Sequence, residues 1–285
     1  MIRIGMSTSC VFPLPLEEAF RLASIAGFDG IEIMVTNDKR TQDAATLRSL
    51  SHSYRMPILS IHAPVLLATQ FVWGVRPRVK LERSADLARN VGATTVVVHP
   101  PFLFQAAYSR VFENTVESVH ERFGVEVAVE NMFTWSIGGR DVRAYSPSPY
   151  PTDLKVSAMT LDFSHAALAH RDSLEFALAM GSQLRHVHLC DGLGVTLFDE
   201  HLVPGHGSQP VAEVLAYLAK SEWEGSIVAE VHTPRARTTD ARVAILRETL
   251  DFARTALTPR RRSMPSPVPA RGRGRGELDE RRVAQ

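Results

Sequence analysis

Eight short apolar runs rich in β-branched residues dominate the chain, and an amphipathic stretch of helical period follows most of them. The runs are Ile2–Ser7, Gly30–Met34, Ile58–His62, Thr95–His99, Val125–Glu130, Met159–Asp162, His186–Leu189 and Ile227–Val231. Most are continuously apolar, as strands buried on both faces are. The periodicity predicts helices over Leu16–Ala26, Ala44–Tyr54, Val79–Val91, Arg110–Phe123, Ser173–Met180, Val211–Lys220 and Asp240–Leu257. Pro15 suits the first turn of its helix, and Gly27 and Gly92 suit helix ends. Strand alternating with helix implies right-handed βαβ units and a parallel sheet. Eight repeats predict closure into an α/β fold, a (β/α)8 barrel, and 285 residues suit one such barrel.

Polar residues sit where these runs end. Ile58–Ile61 delivers His62, Thr95–Val98 delivers His99, and Val127–Val129 delivers Glu130. Met159–Leu161 delivers Asp162, with His165 close behind. Val187 precedes His188, Asp199 and His201 follow in the next loop, and Ile227–Ala229 delivers Glu230. All strand C-termini of a parallel barrel meet at one rim, so these residues are expected to converge on one pocket. A buried glutamate on an apolar strand needs its charge compensated. Glu130, Asp162, His188 and Glu230 together offer three carboxylates and one imidazole, a set suited to Mn²⁺, Co²⁺, Mg²⁺ or Zn²⁺. The spacing of Asp199 and His201 lets both grip one ion from an extended loop, and the glycines of Pro204-Gly205-His206-Gly207 permit a tight turn and close backbone approach.

Other positions keep two readings. Glu32 ends the second strand, where it either contacts substrate or closes a scaffold salt bridge. Trp73 either walls the site or packs in the core. Arg235 and Arg237 follow the last strand, where barrels keep phosphate sites, or are solvated. His232 suits a supporting partner of Glu230. Cys190 is expected to be an inert buried thiol. Residues 133–157 contain Gly138-Gly139, Pro147, Pro149 and Pro151 and predict no helix, so the stretch is either a lid above the pocket or a surface excursion.

Composition excludes several classes. No apolar run reaches the ~20 residues of a membrane-spanning helix. The first residues enter a strand at once and show no signal-peptide pattern. Cys10 and Cys190 make no disulfide framework, so the expected compartment is the cytoplasm. The net charge of +1 hides a surplus of arginine after Thr258, so the remainder is mildly acidic and no obvious trap for nucleic acid. Arg260–Arg262, the prolines and Arg271-Gly-Arg-Gly-Arg-Gly276 cannot build a core, so residues 258–285 are expected to form a disordered tail behind a barrel of residues 1–257.

The ordered motifs resemble a known superfamily. They are Ser60-Ile-His-Ala-Pro64, Val97-Val-His-Pro-Pro101, Val129-Glu-Asn131, Leu161-Asp-Phe-Ser-His165, His186-Val-His-Leu-Cys-Asp-Gly192, Asp199-Glu-His-Leu-Val-Pro-Gly-His-Gly207 and Ala229-Glu-Val-His232. The pattern is similar to the xylose isomerase-like TIM barrels, which include sugar-phosphate isomerases and epimerases and endonuclease IV. The epimerase members imply one metal held by Glu130, Asp162, His188 and Glu230, with both glutamates moving protons beside a substrate carbonyl. They also imply that His165 holds a substrate hydroxyl and that a small sugar or sugar phosphate is the partner; similar barrels are commonly dimers, which leaves a homodimer one of the open oligomeric states. His206 stands where related sequences often carry a substrate-binding arginine or glutamate. The endonuclease IV members imply a zinc-dependent enzyme acting at abasic DNA. Their nine-ligand set matches His62, His99, Glu130, Asp162, His165, His188, Asp199, His201 and Glu230 by type. The surrounding motifs depart: those members resemble Asp-Thr-Cys-His where this chain has Asp162-Phe-Ser-His165, and the DNA-gripping Asn-Leu element expected after His62 is missing.

Overall fold

The structure, a computed structural model, describes residues 2–137 and 140–258. The expected tail lies outside the described residues except for Thr258. The strands are β1 (Arg3–Ser7), β2 (Gly30–Met34), β3 (Ile58–His62), β4 (Thr95–Val98), β5 (Glu126–Glu130), β6 (Thr134–Ile137), β7 (Arg140–Arg143), β8 (Ala158–Asp162), β9 (Leu184–Leu189) and β10 (Ser226–Ala229). Eight of them close a parallel barrel in the order β1-β10-β9-β8-β5-β4-β3-β2, as the repeat pattern predicts.

The helices that cover the barrel are α1 (Leu16–Ala26), α2 (Ala44–Tyr54), α3 (Pro77–Val91), α4 (Ala106–Ser109), α5 (Phe112–Phe123), α6 (Phe163–Leu168), α7 (Ser173–Met180), α8 (Val211–Lys220) and α9 (Thr239–Leu257). Their inner faces and the outward faces of the strands form one continuous apolar core, which includes Phe20, Ile31, Ile61, Leu81, Phe112 and Leu246. Gly27 and Gly92 end α1 and α3 in the left-handed conformation, as expected. No helix among the described residues is long and apolar enough to cross a membrane.

The inside of the barrel is polar in layers. Residues two apart on a strand share a face, so His186 lies one layer below His188, Thr160 below Asp162, and Ser60 below His62. Register aligns the layers across strands: Asp162 pairs with His188, and Glu32 with Ser60. A register shift at Ile31/Glu32 lets Leu59 bulge toward β1 and β2. A Cβ on Gly30 would fall 2.5 Å from Leu59 Cγ, so glycine there leaves the room that Leu59 fills.

The described residues of the stretch after β5 carry no α-helix, only a 3-10 turn at Pro151–Asp153, and β6 and β7 pair antiparallel within it, which periodicity did not foresee. Their base is fastened rather than free. Met132, Phe133, Tyr145 and Leu168 form a second apolar cluster, with Phe102 and Trp135 packed against it. Trp135 Nε1 donates to the Leu197 carbonyl at 3.1 Å.

Candidate metal centre

Glu130 closes β5 and is 1% exposed. Its Oε1 lies 2.9 Å from His188 Nδ1 and 3.2 Å from His165 Nδ1, while Oε2 lies 3.0 Å from His99 Nε2 and 3.5 Å from His62 Nε2. Glu230, one residue past β10, places Oε2 2.9 Å from the same His188 nitrogen. Asp162 ends β8, and its Oδ2 lies 3.7 Å from His188 Nδ1. Ligand atoms of Glu130, Asp162, His188 and Glu230 all lie within 4.8 Å of one another. These are the four residues expected from the strand ends.

Two further sets flank them. His62, Glu130 and His188 converge on one side, with His99 against Glu130, and His165, Asp199 and His201 converge on the other. Asp199 Oδ2 lies 2.9 Å from His165 Nε2 and 2.6 Å from His201 Nε2. All nine ligand-type residues therefore share one rim.

The donor set fits a cation. Glu130 Oε2 and His99 Nδ1 are buried without a hydrogen bond, although His99 Nε2 is 3.0 Å from that oxygen. Groups brought this close but out of line for hydrogen bonding suit a shared ion better than one another. Electrostatics agree. Burial works to lower the His188 imidazole, but the charges of Glu230, Glu130 and Glu32 raise it well above its ordinary value. His201 is likewise pushed up to about 10, against burial, chiefly by Asp199. Burial raises carboxylates, yet His188 and His99 hold Glu130 well below the usual range, and His188 brings Glu230 to about 2. Asp162 goes the other way, raised chiefly by burial. Without a cation, the imidazoles carry the positive charge that the carboxylates require.

Several supports were not foreseen. Asn131 clamps Asp162: its Nδ2 donates to the Asp162 carbonyl at 3.0 Å, and its Oδ1 accepts from Asp162 N at 2.7 Å. The Glu130-Asn131 pair at a strand end was the available signal. Ser9 Oγ donates to Glu230 Oε1 at 3.0 Å, and Ser164 Oγ donates to Asp199. Asp191 Oδ1 accepts from Gly192 N and Gln209 N, and Oδ2 from Gly205 N and Gly207 N, at 2.8–3.1 Å.

Glu32 is fully buried, one layer below the rim. It accepts from Ser60 Oγ at 2.7 Å and lies 3.3 Å from His188 Nε2 and 3.1 Å from His186 Nε2. It therefore meets the back of His188 rather than the cavity. Cys190 is buried, and burial together with Asp162 raises its thiol well above the ordinary value. His232 packs tilted against His201, ring centroids 4.6 Å apart and planes at 36°, and makes no hydrogen bond to Glu230.

A cavity of about 700 Å³ opens over this cluster, bounded by His62, His99, Glu130, His165, His201 and Glu230 below and by Phe12, Met34 and Leu66 toward solvent. Phe133 and Tyr145 of the satellite cluster pack against His165 and His99 at 5.2 and 6.4 Å between ring centroids. Three expected substrate contacts lie elsewhere. His206 is exposed and paired with Glu248 at 2.9 Å, Trp73 is half-buried against the core, and Arg235 is exposed and does not line the cavity.

Residues 20–256 match a sequence family described as xylose isomerase-like TIM barrel. The chain belongs to that family. A Mycobacterium tuberculosis protein of uncharacterised function is 45% identical over 275 residues, 90% of this chain and 98% of that one. Fructoselysine 3-epimerase of Escherichia coli O157:H7 is 25% identical over 259 residues, 81% of this chain and 91% of the epimerase. Among solved structures, a D-tagatose 3-epimerase-like protein shares the fold, with a TM-score of 0.64 at 23% identity, covering 90% of this chain and all of its own.

Proposed function

We propose that the protein is a divalent-metal-dependent sugar isomerase or epimerase that moves a proton on the carbon beside a carbonyl. One observation carries this reading: Glu130 and Glu230 reach His188 Nδ1 from two different strands, each at 2.9 Å, at the floor of an open cavity. Membership of the family and the similarity to an enzyme named as a fructoselysine 3-epimerase support it.

Glu130, Asp162, His188 and Glu230 would hold the cation. Mn²⁺, Co²⁺, Mg²⁺ or Zn²⁺ in that set supplies Lewis acidity toward the carbonyl and hydroxyl oxygens of a bound sugar. One glutamate, ionised, takes the proton from the carbon next to the carbonyl, and the electron pair delocalises into that carbonyl. The other glutamate, protonated from solvent before it acts, returns a proton to carbon, and the first gives the proton it took back to solvent, which restores both charges. Return to the opposite face of the same carbon inverts it, and return to the neighbouring carbon moves the carbonyl. His165, its ring fixed by the Asn131 carbonyl at Nδ1, would orient a substrate hydroxyl through Nε2 only where that hydroxyl replaces Asp199, which holds Nε2 at 2.9 Å. Glu32 meets His188 Nε2 and so holds its ring with Nδ1 toward the carboxylates.

The reading is tested by solvent-deuterium uptake, followed by NMR, across a panel of ketoses with protein loaded with each of the four metals. Uptake at the carbon beside the carbonyl is expected, and none across the whole panel sinks the reading.

A second reading has one observation in its favour: the flanking sets His62–Glu130–His188, with His99 against Glu130, and His165–Asp199–His201 lie beside the central set. Three adjacent ligand groups suit a polynuclear zinc phosphodiesterase acting on abasic DNA. It requires about three zinc ions per chain and nicking of an abasic duplex, and a zinc-loaded sample that leaves such a duplex intact eliminates it.

A further inference from the structure

Among the described residues, the cavity above the carboxylates offers none of the lysine or arginine side chains that hold a phosphate. Its volume of about 700 Å³ lies near the middle of the range, roughly 300–1,000 Å³, that proteins use for small-molecule ligands. Among the described residues, no lysine or arginine lines it. Asp38, Glu130, Asp199 and Glu230 do. Arg40, next to that wall in sequence, is tied by two nitrogens to Asp38, with its Nη2 2.7 Å from Oδ2. Phosphate monoesters are held by arginine, lysine or the N–H groups of a helix start, because a dianion needs positive partners. The imidazoles of His165 and His201 on the floor are tied to Asp199 at 2.9 and 2.6 Å, so one divalent cation among three carboxylates leaves no unpaired positive group there for a phosphate.

The outer wall has a different character. Phe12, Met34, Leu66, Ala68 and Pro234 line it, and Phe12 is 70% exposed. Phe12 and Leu66 bound the same cavity as Glu130 and Glu230. A ligand reacting at the floor therefore extends directly between them.

We infer that the substrate is an uncharged sugar carrying an apolar substituent, with the reacting carbons over Glu130 and Glu230 and the substituent against Phe12 and Leu66. The inference rests on the proposed isomerase or epimerase reading for the floor of the site and adds the specificity of its mouth. Phosphorylated sugars are excluded by the same wall, since their charge would meet carboxylates and apolar carbon.

The test uses Mn²⁺-loaded full-length protein and three ligands: a ketohexose, its phenyl ether, and its terminal phosphate monoester. Titration calorimetry gives affinities, and NMR gives deuterium uptake. The phenyl ether should bind about tenfold tighter than the parent sugar or better, as expected for burying an aromatic ring, and the phosphate ester more weakly than the parent. Phe12→Ala should remove most of the preference for the phenyl ether, while Phe12→Tyr, which keeps the ring, should retain it. Thermal unfolding of both variants checks the fold. Equal binding of parent and phenyl ether, tightest binding of the phosphate, or a preference unchanged in Phe12→Ala overturns the inference, and deuterium uptake in the same samples leaves the proton-transfer reading standing. Phe12-dependent binding of the phenyl ether without uptake from any ligand does the reverse: the subsite stands and the reaction falls. No binding of any ligand overturns both.

Discussion

Metal binding should expel protons, and their number should report how many of the ligand sets fill. In the metal-free protein, His188 and His165 are raised well above the ordinary histidine value and His201 to about 10, so all three carry protons at pH 7.5. An imidazole ligates a cation only in its neutral form. One ion at Glu130, Asp162, His188 and Glu230 should therefore release about one proton, and filling the His165–Asp199–His201 set as well should raise the total to about three. The assay is calorimetric titration of Mn²⁺ or Zn²⁺ into chelator-stripped protein in buffers of different ionisation enthalpy. Heats independent of the buffer would refute the reasoning. Stability gives a second readout. A histidine whose folded value is raised contributes fully below its unfolded value of about 6.5 and loses that contribution as pH rises through the folded value. For His201 the window runs from about 6.5 to about 10, with a ceiling of about 5 kcal/mol. Glu230, lowered to about 2, contributes above its unfolded value and loses this only as pH falls toward 2. The urea midpoint of the stripped protein should fall between pH 6.5 and 10, and the gain from added metal should grow over the same range. A flat profile would contradict the charge balance drawn from the structure.

Further outcomes concern single residues. Glu130→Gln and Glu230→Gln should each lower kcat by roughly 10²–10⁴-fold with the circular dichroism spectrum intact; full turnover in either ends the two-glutamate scheme. Glu32→Gln weakens the carboxylate behind His188 and should lower metal affinity roughly 10–100-fold in competition with a chelator, and an unchanged affinity means that Glu32 does not orient the ring. Asn131→Ala removes both bonds that clamp Asp162 and should cost about 1–3 kcal/mol in urea unfolding; a loss under about 0.5 kcal/mol shows that the clamp is dispensable.

The barrel was legible because strands buried on both faces are mostly apolar, and the eight barrel strands start and stop within two residues of the eight runs. The convergence of the nine ligand-type residues was legible for a related reason: strand ends of a parallel barrel share a rim whatever lies between them. Depth along a strand was harder to read. Glu32 was placed at the end of its run, yet β2 continues to Met34, and Met34 borders the cavity while Glu32 lies one layer below. The period of two fixes the face of a residue, not its layer. Loop residues escaped for a different reason, since no periodicity governs the paths that carry Trp73, His206 and Arg235 away from the cavity.

The loop after β9 shows what does govern such a path. Asp191 is fully buried, and its two oxygens accept four backbone N–H groups, from Gly192, Gly205, Gly207 and Gln209. Those bonds fold residues 192–209 back on the strand end, and the antiparallel bridge of Asp191 to Leu202 sets His201 over the site. Gly205 supplies a φ of +87°, and a Cβ on Gly207 would fall 2.2 Å from Asp191 Oδ1. The glycines of Pro204-Gly205-His206-Gly207 thus serve a carboxylate fourteen and sixteen residues upstream. Asp199 and His201 reach His165 because that carboxylate holds their loop in place, so the metal-type cluster depends on a side chain that touches none of its ligand atoms.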